Sequence, residues 1–357
     1  MTSRTLRTTV RQHGFSMVEL MVSVTIGLLL LAGLTTLFVN NSSARDEIEK
    51  TNRQIENGRY AVQLLTDDLR MAGFFGEFNP NQLTAPTAVP DPCVTASADL
   101  RAAMPLHVQG VDGTSSAPSV SCISDAASDS DVLVVRRVAT CTVGSAGCQD
   151  ESFVAGTNYF QASLCAEGTA ELASGNVSEF YRLSSVATDL NRHKRGVANC
   201  SGTSNYADLR RYMVHVYFIA NNSSGSDGIK TLKRAELGAG SFSVVPLVEG
   251  IENLQVEYGL DTDGNGTPDV YTTDPGTYNS CAAAACVTNW RNVMTMKVHL
   301  LARNTEKSIG HVDKKTYILG LDAGGNNNTV GPFADGYKRH VYQTVIRLPN
   351  PAGRRES

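Results

Sequence analysis

Hydrophobic and polar positions divide the chain into stretches of different period. Residues 1–13 are polar and basic, with Arg4, Arg7 and Arg11 and no acid. An uncharged run occupies residues 20–39. At ~1.5 Å per residue it reaches ~30 Å, the thickness of a bilayer's hydrocarbon core. Beyond it, Ile48, Ile55, Val62 and Leu69 recur every seven positions, with Leu65 and Ala72 in the same stripe. That spacing predicts a helix with one buried face. Asp46, Glu49, Lys50, Arg53, Glu56, Asp67 and Asp68 fall largely off the stripe, and Gly73 is the expected end of the helix.

The pattern then changes twice. Six of the twelve prolines lie between Pro80 and Pro118, among Ser, Thr, Ala and Asp, which predicts long irregular surface segments over residues 77–129. Strand character follows at 131–138, 212–219, 254–258, 294–302 and 342–348. In the fourth of these, Met294, Met296, Val298 and Leu300 share one face, and Thr295, Lys297 and His299 share the other. That is the period of a half-buried strand. A long helix laid on an antiparallel sheet is an α+β fold, here with extended loop insertions.

Charge narrows the function classes. The net charge is −4, and losing the three leader arginines would make the remainder more acidic, so the bulk electrostatics do not announce a nucleic-acid binder. Arg192-His193-Lys194-Arg195 and Arg210-Arg211 read as solvated loop positions. His215 and His299 sit on strand patterns as exposed or satisfied residues. No G-x-S-x-G, H-E-x-x-H or phosphate-binding glycine loop is present, so nothing favours an enzyme.

The basic residues precede the apolar run and mixed charges follow it, so the positive-inside rule keeps the N-terminus cytoplasmic and exports the rest. All eight cysteines lie on the exported side: Cys93, Cys122, Cys141, Cys148, Cys165, Cys200, Cys281 and Cys286. An even count in an oxidising compartment reads as a disulfide framework. Cys141 with Cys148 and Cys281 with Cys286 are the easiest local loops to close, and Cys93 and Cys122 could staple the proline-rich region. The remaining connectivity is open, and no ligand spacing for zinc is present.

Residues 261–269 are the metal candidate. Asp261, Asp263, Asn265, the Thr267 carbonyl and Asp269, with Gly266 at the sixth place, follow the opening of a calcium loop. The twelfth position is Thr272 rather than glutamate, and the flanks have strand character, so the competing reading is an Asp/Asn/Gly-rich hairpin turn.

Gly14-Phe15 and Glu19, between a basic leader and an apolar run, resemble the type IV prepilin processing motif. The resemblance implies a prepilin peptidase cutting between Gly14 and Phe15, N-methylation of Phe15, and a role for Glu19 in filament packing. The segment from Glu56-Asn57-Gly58-Arg59-Tyr60-Ala61 to Arg70-Met71-Ala72-Gly73-Phe74-Phe75-Gly76, and the block from Leu247 to Gly259, are similar to PilW-type minor pilins. The J-type minor pseudopilins of type II secretion are the runner-up. The PilW likeness implies a pilin-like fold and a non-enzymatic protein that helps initiate pilus assembly at or near the tip. Its partners would be major and minor pilins, the inner membrane and, if the middle region is an adhesive module, a tip adhesin. The expected organisation is a leader over 1–14, a membrane and filament-core helix over 15–39, its amphipathic continuation over 40–76, a loop region over 77–129 and a β-rich domain over 130–357.

Overall fold

The computed structural model describes residues 14, 16–113, 116–148 and 152–356. Leader residues 1–13 and Phe15 lie outside the described residues. The chain divides into two compact units between Asn52 and Arg53.

The first unit is helical. Helix α1, Met17–Arg70, begins there, and its apolar run carries no buried residue. In the second unit, α1 buries Gln54, Gly58, Ala61, Leu65, Asp68 and Leu69. This corrects the expected stripe: Leu65, Leu69 and Ala72 are buried, whereas Ile48 and Ile55 are exposed and Val62 is only partly covered. The buried face follows small residues. A Cβ on Gly58 would meet the Tyr342 ring at 2.2 Å, so glycine lets helix and sheet approach. One turn earlier, Gln54 Nε2 donates to the carbonyls of Ala302 and Lys338 at 2.9 and 3.0 Å. Seven-residue spacing could not register the pull of these small and hydrogen-bonding side chains. Past the last turn, Gly73 has φ +71 and donates to Arg136 O at 2.9 Å.

Thirteen strands follow among the described residues: β1 Val108–Val111, β2 Val132–Val138, β3 Tyr159–Ala162, β4 Tyr181–Ser184, β5 Leu209–Ala220, β6 Thr231–Leu237, β7 Phe242–Glu249, β8 Ile251–Leu260, β9 Val270–Thr272, β10 Val293–Arg303, β11 Tyr317–Leu321, β12 Asn327–Val330 and β13 Arg339–Arg347. The larger sheet has seven strands, with β5 as its spine. Residues 212–217 pair with β2 and 215–220 with β6, so these neighbours take opposite edges, while 209–211 pair with β3. A second, four-stranded sheet runs β13-β10-β8-β9, and β11 and β12 form a hairpin. Every strand pairing is antiparallel, so the fold is α+β.

One apolar cluster joins Ala61, Leu65 and Leu69 of α1 to Val135 and Tyr217 of the larger sheet and Val298 and Leu300 of the second. The other joins Phe75, Phe78, Leu100, Met104 and Val120 to Val134, Val214 and Phe218. Alternate residues of β2 and β5 therefore enter different clusters, and the larger sheet is covered on both faces. Residues 77–129 supply much of the second cover, through helix α2, Ser97–Ala103, and the segments around Phe78 and Val120. The region expected as surface loop thus also packs a core, because Phe78, Leu100, Met104 and Val120 have the far face of the sheet to bury against. Deleting it to test adhesion would uncover that face.

Strand β10 departs from the half-buried pattern in the same way. Its apolar face is fully buried, and Thr295 and His299 on the other face are also covered. There Glu257 takes Lys297 Nζ at 3.0 Å, His299 Nε2 at 3.2 Å and the Leu321 amide of the β11 hairpin at 3.2 Å. The His299 side-chain hydrogen bond is the largest influence on the Glu257 carboxyl, and with Lys297 it overcomes burial and holds the group at about 2.

The two sheets are laced at Asp131. Its amide donates to Leu254 O at 2.9 Å, and its carboxyl accepts from the amides of Val256 at 2.9 Å and Gly113 at 3.3 Å. Burial pushes this carboxyl up to about 7, with Asp112 and Asp274 adding to the effect, and the two amides offset only part of it. A carboxyl raised above its unfolded value stabilises most below pH ~4 and loses that contribution as pH rises through its folded pKa. Between pH 5.5 and 8.5 Asp131 should therefore contribute a loss on the order of 2 kcal/mol, opposed in the lower part of that window by His107, which burial holds down at about 4. Trp290, the single tryptophan, is buried against Tyr258 and reports unfolding in urea. Asp131→Asn should remove that loss and shift the difference in stability toward the higher pH; an unchanged difference would show that Asp131 does not contribute.

Candidate functional site

The N-terminal segment is built to start a helix in an apolar medium. Ser16 Oγ accepts from the Val18 amide, and Glu19 Oε2 accepts from the Ser16 amide, both at 3.3 Å. This reciprocal S-x-x-E arrangement is a capping box, and it satisfies two amides that the first turn leaves open. The carboxylate also sits at the positive end of the helix dipole. Gly14 is described, with nothing within 4 Å of where a Cβ would lie.

Every large apolar side chain from residue 17 to 39 is exposed, with a mean hydropathy of 2.3 over the best 18-residue window. Its four hydroxyls are internally bonded: Ser23 to Glu19 O at 2.6 Å, Thr36 to Ala32 O at 2.9 Å, Thr25 to Met21 O and Thr35 to Leu31 O. A helix with satisfied hydroxyls and apolar sides suits hydrocarbon or other apolar helices. By length and composition it can cross a membrane.

The second unit holds four disulfides: Cys93–Cys122, Cys141–Cys148, Cys165–Cys200 and Cys281–Cys286. The two local loops and the staple across the proline-rich region pair as expected, and the open fourth bridge closes residues 165–200. With partners 29 and 35 positions apart, the long bridges each lower the unfolded chain's entropy by roughly 3–4 kcal/mol at room temperature in the loop-closure picture.

At the calcium candidate, Asp261, Asp263 and Asp269 bring carboxylate oxygens within 4.8 Å of one another. Asp261 is fully buried. It accepts from the amides of Gly264 at 2.7 Å, Asn265 at 3.1 Å and Gly266 at 2.9 Å, and from Arg355 at 2.9 Å. Burial alone would raise its pKa, but these donors hold it below the ordinary carboxylate range. The Asn265 side-chain oxygen takes the Thr267 amide at 2.7 Å and the Thr267 hydroxyl. Asp269 is held low first by the Thr262 side chain and then by its amide, both at 2.7 Å. Three carboxylates fit a hard cation, while the Asn265 and Thr267 side chains already serve the turn.

The basic runs are internally compensated. Arg192 pairs with Glu179, His193 with Glu171 at 2.7 Å, and Lys194 with Asp208 at 3.1 Å. Arg210 donates to the carbonyls of Ala139 and Thr140 and lies over Phe74.

Sequence reasoning missed the charge centre beneath α1. The buried Asp68 carboxylate accepts from Arg137 Nε at 2.7 Å, His215 Nδ1 at 2.7 Å and Tyr217 Oη at 2.8 Å. Burial alone would raise its pKa; His215 and then Arg137 overcome that and hold it far below the usual range. His215 is thus a satisfied strand residue. The available signal was Asp68's place three positions after Leu65, on the buried face.

Two family models match segments of the sequence. Residues 10–35 match the prokaryotic N-terminal methylation motif, and residues 216–350 match the family described as Type IV Pilus-assembly protein W. No curated protein and no solved structure matches the chain.

Proposed function

We propose, from the PilW-type type IV pilin identity that those two matches support, that this chain helps initiate pilus assembly and sits at or near the pilus tip. It enters the inner membrane with its N-terminus cytoplasmic and its disulfide-bearing domain in the periplasm. Prepilin peptidase cuts between Gly14 and Phe15 and methylates Phe15. The mature chain then packs through its N-terminal helix against other major and minor pilins, with Glu19 as the charge that fixes axial register. The observation that carries this reading is the capped, uncovered apolar helix directly after Gly14. The 216–350 match favours a pilus over a type II secretion machine.

Mass spectrometry of the N-terminal peptide, from membranes of a prepilin-peptidase-positive host, tests the processing step. A chain beginning at methylated Phe15 is expected; an intact Met1, or a cut beyond residue 39, would sink the reading. Glu19→Ala should leave the chain in the membrane and reduce surface piliation sharply. Normal piliation would show that Glu19 only caps its own helix.

We propose calcium as the ligand of the 261–269 turn, held by Asp261, Asp263 and Asp269. Bound calcium would supply charge neutralisation, and these carboxylates would orient the turn between β8 and β9. Binding to the folded chain alone should raise stability by about 2.7 kcal/mol at a hundredfold excess over Kd. The rise should vanish in the Asp263→Asn, Asp269→Asn double variant. An unchanged melting temperature up to about 10 mM calcium would leave the turn a simple hairpin.

A further inference from the structure

A cavity of about 480 Å³ opens beside the Cys165–Cys200 bridge, in a region outside both family matches. That volume falls in the range of about 300–1,000 Å³ typical of small-molecule pockets. Its walls include Glu171, Glu179, Asn191, Arg192, His193 and Tyr206.

Three observations mark it as a constructed site. Glu171, Arg192 and His193 are charged or titratable yet almost completely buried, at 3, 5 and 4% exposure. Each is held in place. The Glu171 carboxylate accepts from Ser163 Oγ, the His193 amide at 3.1 Å and His193 Nδ1 at 2.7 Å. Arg192 reaches Asn191 Oδ1 at 3.1 Å and the Glu179 carboxylate, while its buried Nε–H has no partner. The backbone around the wall is also strained. Glu171, Asn199 and Cys200 have φ of +47, +55 and +47, each a cost of about 1–3 kcal/mol for a residue other than glycine. Such strain persists where surrounding structure enforces it, and it gathers at ligand sites.

The chemistry of the wall selects the ligand class. Both ring nitrogens of His193 face acceptors, Glu171 Oε1 at 2.7 Å and Gly202 O at 3.2 Å. Two carboxylates stand beside a guanidinium and an imidazole, so the wall mixes polar groups of both kinds rather than gathering one sign of charge. Planar donors and acceptors alternate, and the Tyr206 ring lies 5.1 Å from that of His193. A polyhydroxylated ring matches this set, since each hydroxyl both donates and accepts and its C–H face packs on an aromatic ring.

We propose that this cavity binds a neutral saccharide of one or two rings. The proposal is independent of where the protein sits in a pilus, so its failure leaves the assembly reading untouched.

The test uses the full chain in a detergent without a sugar headgroup. Maltose, cellobiose, lactose and N,N′-diacetylchitobiose are the probes, read by saturation-transfer NMR and calorimetry. At least one should bind with a Kd of about 0.1–10 mM. Tyr206→Ala and, separately, the exposed Asn191→Ala should weaken binding about tenfold or more, and Arg101→Ala in a neighbouring groove should leave it unchanged. No saturation transfer from any probe at about 20 mM would overturn the proposal. So would binding that survives both cavity substitutions in folded variants, or binding confined to the acidic sugar galacturonate.

Discussion

Asp68→Ala is expected to cost about 3–5 kcal/mol of unfolding free energy, the loss typical of removing one partner from a buried ion pair. The alanine would leave Arg137 Nε, His215 Nδ1 and Tyr217 Oη without their common acceptor. Arg234 would feel the change through Tyr217, whose hydroxyl it contacts at 3.3 Å. Asn should rescue only in part, because its carbonyl oxygen can keep the partners of one carboxylate oxygen while its NH2 turns a donor toward those of the other. Replacing the whole group with apolar side chains of similar volume should cost less than Asp68→Ala alone. The pH dependence gives a second check. Asp68 is held far below its unfolded value near 3.9, so its contribution is full above that pH and fades as pH falls toward the folded pKa. The gap between wild type and Asp68→Ala should therefore be widest above pH ~5 and narrow progressively in acid. Urea titration followed through Trp290 measures it. A loss under about 1 kcal/mol would place the pair with ordinary surface ion pairs.

Local periodicity carried much of the architecture. The expected strand at 212–219 lies within β5, 254–258 within β8 and 294–302 within β10, because alternation over many residues is a local signal. The N-terminal segment was legible for a similar reason: the basic leader, Gly14, Glu19 and the apolar run are contiguous. What the sequence hid depends on residues far apart in the chain. Asp68 meets partners 69 to 149 positions away, and nothing near it announces them. Whether residues 77–129 were loop or cover depended on the far face of β2 and β5 being apolar too. Arg355, near the C-terminus, also donates to the Asp261 carboxylate that the loop pattern offered to calcium. The saccharide cavity had no motif, only a basic run whose first two members, Arg192 and His193, prove to be buried.

The block from Leu247 to Gly259 was recognisable by resemblance, and Gly250 shows what it does. It has φ +75 and lies between β7 of the larger sheet and β8 of the second. Its amide donates to Lys230 O at 2.8 Å, and its carbonyl accepts from Arg303 N at 2.7 Å. One residue thus joins the two sheets through its own peptide groups. A Cβ there would stand 2.6 Å from Arg303 O, a backbone atom that cannot swing aside. Gly250→Ala should cost roughly 3 kcal/mol or more, combining ~1–2 kcal/mol for the left-handed conformation with the overlap. Gly240 separates the two effects, since its φ is +76 but nothing lies within 4 Å of where a methyl group would stand. Gly240→Ala should show only the conformational cost, about 1–2 kcal/mol. Equal losses at the two glycines would mean that Arg303 yields, and that the junction between the sheets is softer than its hydrogen bonds indicate. A larger loss at Gly250 would identify the close approach of the two sheets as the reason glycine is required there.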